Sequence, residues 1–229
     1  MAGRIGILTG LAFEADLVRK VSKNMNWGAD APEVRCIGMG GAGAGAATQE
    51  MADIGVEGVV SFGLAGGLDP ALQAGTLLVP RIVLGGTGEP LAVHESWRAQ
   101  LLGRLGAERT VAEGPLLSGA RLITTKEAKQ AAFQKSRAQA ADMESAKVAV
   151  AANDAGLPFL VLRAVADDAA TTLPPAAEAM DQRGRLVIAQ LIGSLVRRPW
   201  QVPALVKLGA KTRSAVSALE DALPKLIAP

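Results

Sequence analysis

Two short carboxylate motifs are the residues of this chain best suited to chemistry: Ala141-Asp142-Met143-Glu144-Ser145 and Arg163-Ala164-Val165-Ala166-Asp167-Asp168. The second closes the apolar run Phe159-Leu160-Val161-Leu162, which reads as a buried strand. A strand that ends in acids delivers carboxylates to the rim of a sheet, where α/β folds place their ligands. The first motif opens an Ala-rich helix, so Glu144 can reach the same rim. A carboxylate accepts two hydrogen bonds and so matches the two hydroxyls of a cis-diol. A second carboxyl, held protonated by burial or by a neighbouring charge, supplies a proton. The pair therefore suits a sugar-diol clamp beside a proton donor. Asp168 is the nearest charged neighbour of Asp167, although strand alternation points the two to opposite faces.

Glu14 follows the apolar run Ile5 to Phe13. It could hold a water or a sugar hydroxyl at the rim, or complement the positive end of a helix dipole. The stretch Gly38-Met39-Gly40-Gly41-Ala42-Gly43-Ala44-Gly45 contains G-x-G-x-x-G, but a dinucleotide site would need an acid at the end of the next strand. That strand ends in Gly63-Leu64-Ala65-Gly66-Gly67, and Glu57 lies at its start. The small residues instead let a helix from Ala42 pack close to the sheet, or turn loop amides toward an anion or a ribose. Glycines in Ser61 to Leu68 let backbone approach a planar ligand closely.

The elements that must position these groups alternate. Strand-like runs are expected at Arg4 to Thr9, Val34 to Gly38, Gly58 to Phe62, Thr76 to Leu84 and Phe159 to Val165. Helical stretches are expected at Glu14 to Ser22, Ala42 to Ile54, Lys126 to Gln134, Glu144 to Ala155 and Ala176 to Leu195. Such alternation, with strands that are apolar throughout, predicts a sheet buried on both faces between helices. Beyond Pro199, a short amphipathic element starting at Trp200 and a helix over roughly Thr212 to Leu223 are expected. One α/β domain over 1–196 with a helical tail over 197–229 accommodates all 229 residues.

Composition narrows the class. Hydrophobic residues at 49% with 20% charged residues fit a folded protein with a sizeable core. Aromatics at 3%, with Tyr absent, leave little for a base-stacking platform, so no nucleic-acid partner is expected. The single Cys36 has no disulfide partner, and with one His no metal site is expected; a reducing cytoplasm fits. No run approaches the length of a membrane span. The net charge of +2 conceals an asymmetry. Gln182 to Leu219 carries seven basic residues and no acid, leaving 17 basic against 22 acidic residues elsewhere.

Four ordered blocks resemble the nucleoside phosphorylase and nucleosidase superfamily: Gly6 to Glu14, Gly63-Leu64-Ala65-Gly66-Gly67, Asp142-Met143-Glu144 and Arg163-Ala164-Val165-Ala166-Asp167. The resemblance spans about residues 4 to 195. It implies a three-layer α/β fold with a mixed, curved central sheet, and cleavage of a purine nucleoside at its N-glycosidic bond. By position it makes Asp167 the acid that protonates the purine and Glu144 the ribose-hydroxyl ligand with Met143 beside the sugar. Glu14 becomes the acid that positions an attacking water. Leu122 and Ile123, with Ala65 and Gly66, are implied to line the base. Thr9, Gly10 and Gly41 are the positions left for water or phosphate. The arginine and hydroxyl that phosphorylases of this superfamily often place around the Gly-rich turn correspond here to Ser61 and Leu64, so hydrolysis and phosphorolysis both stay open. No cofactor is implied beyond phosphate as a co-substrate, and a homodimer is expected.

The segment Leu195-Val196-Arg197-Arg198-Pro199-Trp200-Gln201-Val202-Pro203-Ala204-Leu205-Val206-Lys207-Leu208 resembles the C-terminal extension of hopanoid-associated phosphorylases. That implies adenosylhopane, a lipid-linked adenosine, as substrate, with release of adenine in hopanoid biosynthesis. A soluble nucleosidase for methylthioadenosine or adenosylhomocysteine, and a nucleoside-binding protein without turnover, are the alternatives. The basic tail with Trp200, Val202, Leu205 and Leu208 suits an anionic inner-membrane surface. It also suits a packing arm or a dimer contact with a solvated basic face, the usual role of such tails.

Overall fold

In the computed structural model the described residues are 4–25, 27–28, 31–86, 90–106, 110–174 and 202–227. Strand β1 (Gly6–Thr9) leads into helix α1 (Ala12–Met25), followed by β2 (Glu33–Cys36), a 3-10 turn (Met39–Gly41) and α2 (Ala44–Asp53). The long strand β3 (Val59–Gly67) comes next, then the short strands β4 (Leu77–Leu78), β5 (Ile82–Leu84) and β6 (Pro90–Ala92). Helix α3 (Glu95–Leu105), β7 (Val111–Ala112), β8 (Leu116–Ser118) and α4 (Lys126–Ser136) follow. The catalytic-looking motifs occupy β9 (Ala140–Asp142), α5 (Ser145–Asp154) and β10 (Phe159–Asp167). Helix α6 (Val202–Ile227) ends the described chain.

All ten strands join one mixed sheet, ordered β6-β5-β8-β9-β3-β10-β4-β7, with β1 beside β3 and β2 beside β1. Strand β3 is its hub because it is long enough to change neighbours along its length. Its first half pairs in parallel with β1 (Val59 opposite Gly6, Phe62 opposite Thr9), and its end pairs antiparallel with β9 (Gly66 opposite Ala141). Strand β10 runs parallel to β3 throughout. Exchanging one neighbour for another along a single strand requires a twisted, curved sheet. The expected three-layer α/β architecture, a mixed curved sheet between helices, is therefore the observed one.

The run expected as a single strand from Thr76 to Leu84 is two strands. Pro80 has no amide hydrogen for a ladder, and the chain breaks between Leu78 and Ile82. Helix α3 and the strands β6 to β9 have weak sequence signals: three of these strands have three residues and one has two. Strand β3 extends five residues past its expected end at Phe62. Glycines that read as a turn are tolerated there because side chains from neighbouring segments cover them.

Helices α5 and α6 both pack on β10, which is buried along almost its whole length. Helix α1 buries Glu14, Leu17, Val18 and Val21 along one face, the spacing that keeps a single stripe toward the sheet. Helix α6 is one continuous helix, not a short element followed by a second. Gly209 is propagated through, and Pro203 sits in the first turn, where its missing N–H costs nothing. Its stripe Ala215, Leu219, Ala222, Leu223 and Leu226 is fully buried in the same core as the sheet. Lys20 of α1 pairs with Glu220 at 2.8 Å, and Lys225 donates to the Leu105 carbonyl at the end of α3. The second half of this helix is thus a packing arm. The expected helix Ala176 to Leu195, and the tail residues Arg197, Arg198 and Trp200, lie outside the described residues.

The Leu219 side chain is fully enclosed while Val206, on the same helix, is 68% exposed. Leu219→Ala is expected to lower unfolding free energy by about 2–5 kcal/mol in urea denaturation. Val206→Ala is expected to stay within about 0.5 kcal/mol of the parent. Equal effects would mean that α6 does not pack as described.

Candidate active site

The site forms where β1, β3 and β10 end, and a buried cation organises it. Arg163, 1% exposed, stands in the middle of β10. Its Nη2 pairs with Asp142 at 2.6 Å and with Glu144 at 3.7 Å. The same nitrogen donates to Ser61 Oγ at 2.8 Å and to Ser145 Oγ at 3.2 Å. Burial alone would weaken the hold of Arg163 on its proton, but Asp142, Glu144 and Glu14 outweigh that and keep the guanidinium charged.

Helix α5 starts at Glu144 without using that side chain as a cap. Asp142 accepts from the Ser145 N–H at 3.3 Å and Ser118 Oγ accepts from the Ala146 N–H at 2.9 Å. Two orphan donors of the helix end are thereby satisfied by other residues. The Glu144 carboxylate is left to turn toward Gly10, Gly40 and Arg163. It accepts from the amides of Gly40 at 2.9 Å and Met143 at 3.3 Å, which leaves lone pairs on both oxygens. Burial, moderated by Arg163 and reinforced by Asp142, pushes its pKa upward.

Glu14 lies in the first turn of α1, 1% exposed. One oxygen accepts from Leu64 N–H at 2.8 Å and the other from Leu11 N–H at 2.9 Å. Burial raises its pKa to about 7 against the lowering influence of Arg163 and these two amides. The glycines explain how the carboxylates fit. A Cβ on Gly63, whose φ is +148°, would lie 2.4 Å from Glu14 Oε1 and 2.7 Å from an Arg163 nitrogen. One on Gly10 would lie 2.8 Å from the Glu144 carboxyl carbon. Gly41, with φ of +64°, backs onto the Glu144 main chain.

Asp167 closes β10 just beyond a bulge: Val165 opposes Ala65, whereas Asp167 opposes Gly66. The extra residue takes the strand out of strict alternation and re-aims the carboxyl. Asp167 is buried over Gly66, where a Cβ would stand 3.5 Å from Oδ1. Its Oδ2 accepts from Lys129 of α4. Burial, only partly offset by Lys129, raises its pKa. Asp168 points elsewhere, to Lys211 at 2.5 Å and Thr171 at 2.6 Å. Burial would raise its pKa, but those hydrogen bonds bring it below the usual range. Its influence on Asp167 is therefore secondary to burial and Lys129.

The structure brings Glu14, Glu144, Gly10 and Gly41 together around Arg163. Thr9 is buried at the end of β1, its hydroxyl donating to the Leu11 carbonyl at 3.2 Å. Met143 is half-buried and borders a groove of about 810 Å³ that also takes in Gly41, Leu91, Ala146 and Val150. Ala65 and Gly66 lie on β3 beneath Asp167. Leu122 and Ile123 lie on the loop from β8 to α4, with Leu122 exposed. That loop joins the segment after Asp167 through the Leu173 N–H, which donates to Thr124 O at 2.7 Å. Two members were missed as site residues. Arg163 had a signal, a charge within an apolar strand. Lys129 had none, being one cation in a helix of otherwise solvent-facing residues. Among the described residues no three His, Cys, Asp or Glu side chains cluster as metal ligands.

The chain belongs to the Phosphorylase superfamily, whose family description matches residues 4–197. No curated protein sequence matches it. Among solved structures it is similar to an MTAN variant from Helicobacter pylori with 5'-methylthioadenosine in the active site (TM-score 0.67, 18% identity, 97% of this chain and 98% of that one). Native futalosine hydrolase of the same organism aligns with TM-score 0.67 and 19% identity over 97% of both chains. A 5'-methylthioadenosine/S-adenosylhomocysteine nucleosidase from Neisseria meningitidis, in complex with methylthio-immucillin-A, gives TM-score 0.67 and 18% identity over 96% and 97%. These likenesses extend the family assignment to the shared fold.

Glu14 yields a test that needs no substrate. Its folded pKa of about 7 lies above the ordinary 4.5, so the folded state holds a proton that the unfolded chain releases in between. The associated stability is fully present below pH 4.5 and is lost as pH rises through 7. Glu14→Gln lacks this loss. The variant should gain about 3 kcal/mol relative to the parent between pH 4.5 and pH 8, read by urea denaturation at each pH. A difference that stays flat with pH would refute the perturbed carboxyl.

Proposed function

We propose that the protein cleaves the N-glycosidic bond of a purine nucleoside, releasing adenine from an adenosine whose 5' position carries an apolar group. The observation that carries this reading is the meeting of Glu14 and Glu144 around buried Arg163, with Asp167 presented at the end of the same strand as Arg163. Bond breaking leaves negative charge on the purine and oxocarbenium character on the sugar. A proton from Asp167 to the purine ring relieves the first. Glu144 orients the ribose hydroxyls, and its charge favours the cationic sugar.

Water held by Glu14 is the nucleophile we favour. With a pKa of about 7 that carboxyl is suited to accept a proton near neutral pH. The cation acting on it, Arg163, already faces Asp142 and Glu144, a setting that repels phosphate. Phosphorolysis is the second reading of the nucleophile.

The apolar groove beside Met143 supports an extended apolar 5' group, and with the tail resemblance makes adenosylhopane our candidate substrate. Methylthioadenosine and adenosylhomocysteine are the soluble alternatives. Leu205 and Leu208 on the first half of α6 are half-buried and Lys207 is exposed, which leaves room for surface contact with a membrane. Among the described residues no helix is long and apolar enough to cross one. A homodimer remains part of the proposal.

The three nucleosides should be incubated with and without phosphate, and adenine and the sugar product read by mass spectrometry. Adenine release from adenosylhopane without phosphate is the expected outcome. Asp167→Asn should lower the rate by about 10²- to 10⁴-fold. Glu144→Gln should also be slowed, mainly in kcat. Parent-rate turnover by both variants would overturn the mechanism, and adenine binding without product would point to a binding protein.

A further inference from the structure

Helix α4 begins at Thr125, whose side chain caps the Ala128 N–H at 3.1 Å, and among its residues Lys129 alone is buried. An exposed helix that sends a lysine into the protein loses hydration energy on that ammonium unless it is paired. Lys129 is fully enclosed, and its Nζ donates to Asp167 Oδ2 and, at 2.9 Å, to the Asp168 carbonyl. The ammonium thus grips both the side chain of Asp167 and the backbone that follows it. With Oδ2 engaged, Oδ1 is the oxygen left to meet a ligand over Gly66.

We propose that Lys129 is a positioning residue for the reaction: it fixes the Asp167 carboxyl with Oδ1 toward the purine and remains beside it as the counter-ion of the carboxylate formed by proton transfer. The inference rests on Asp167 being the acid of the proposed cleavage. In that step the Oδ1–H bond breaks and a purine N–H bond forms. The electrons of the C–N bond pass to the purine, and Lys129 keeps its own protons. The water oxygen bonds to the anomeric carbon as its proton passes to Glu14; solvent then takes that proton from Glu14 and returns one to Asp167.

The charged groups around Asp167 are Lys129 on α4, Asp168 just past the end of β10 and Lys211 on α6, which is itself bonded to Asp168. Lys129 is the one that touches the carboxyl. Its charge makes Asp167 easier to deprotonate, hence a stronger acid. Removing it should weaken the acid and move the basic limb of the kcat profile, where Asp167 loses its proton, to higher pH.

The experiment compares the parent, Lys129→Met, Lys129→Ala and Asp167→Asn with whichever nucleoside releases adenine. Lys129→Met is expected to lower kcat by roughly 10- to 100-fold with KM within about twofold, and to shift the basic limb upward by about one pH unit or more. Methylammonium should partly restore kcat in Lys129→Ala but not in Asp167→Asn. An unshifted basic limb, or a loss of kcat that merely follows a loss of fold without amine rescue, would reduce Lys129 to a structural anchor and overturn the proposal. Should Lys129→Met not fold, Lys129→Arg decides: the basic limb should stay within about 0.3 pH unit of the parent while kcat falls, and an upward shift would overturn it. If Asp167→Asn is fully active, the acid assignment itself fails. If Asp167→Asn is impaired while Lys129→Met matches the parent, only the role of Lys129 fails.

Discussion

Arg163 carries a full positive charge into the middle of an otherwise apolar strand, and the surrounding structure is arranged to make that possible. Burying a guanidinium alone would be prohibitive, so three acids from two separate segments converge on it. Asp142 makes the closest contact, and Ser61 and Ser145 take further donors. This constraint fixes where β9, α5 and the first turn of α1 must lie relative to β10. It also explains why Gly63 stands beside Glu14 and Arg163, since any larger residue would occupy the space of their side chains.

The same cluster creates reactivity as a by-product of folding. Burial makes Glu14 and Glu144 both easier to protonate than in water, and one cation shared among three carboxylates does not offset it. Asp167 is raised by burial as well, but its cation is a separate one, Lys129, on a separate helix. Two electrostatic compartments result, one around Arg163 and one around Lys129. Keeping acid and base functions in different surroundings allows two carboxyls in one cleft to hold different protonation states.

Much of the fold was legible because it depends on local pattern. The apolar runs that became β1, β3 and β10 and the helices between them are set by residues close in sequence. Glu14, Glu144 and Asp167 were legible because each follows or precedes such a run. The short strands β6 to β9 were not, since a two- or three-residue strand carries no period and exists only through its neighbours. The tail divided the two kinds of evidence. Its basic, partly apolar composition suited a surface, yet Leu219, Leu223 and Leu226 meet the sheet and α1 meets Glu220. Amphipathic spacing tells that a helix has an apolar face but not what covers it.

From residue types and spacing came the α/β class, the order of the chemical motifs and the candidate carboxylates Glu144 and Asp167, while Glu14 entered as a site residue by resemblance. Only the tertiary structure decided which cation serves which acid. Arg163 and Lys129 lie 34 positions apart, on a strand and on a helix, and each meets its carboxylates through contacts that no sequence period encodes. Pairing energies between buried charges depend on distances of a few ångströms and on desolvation. Both quantities exist only once the sheet has curved and closed around the site.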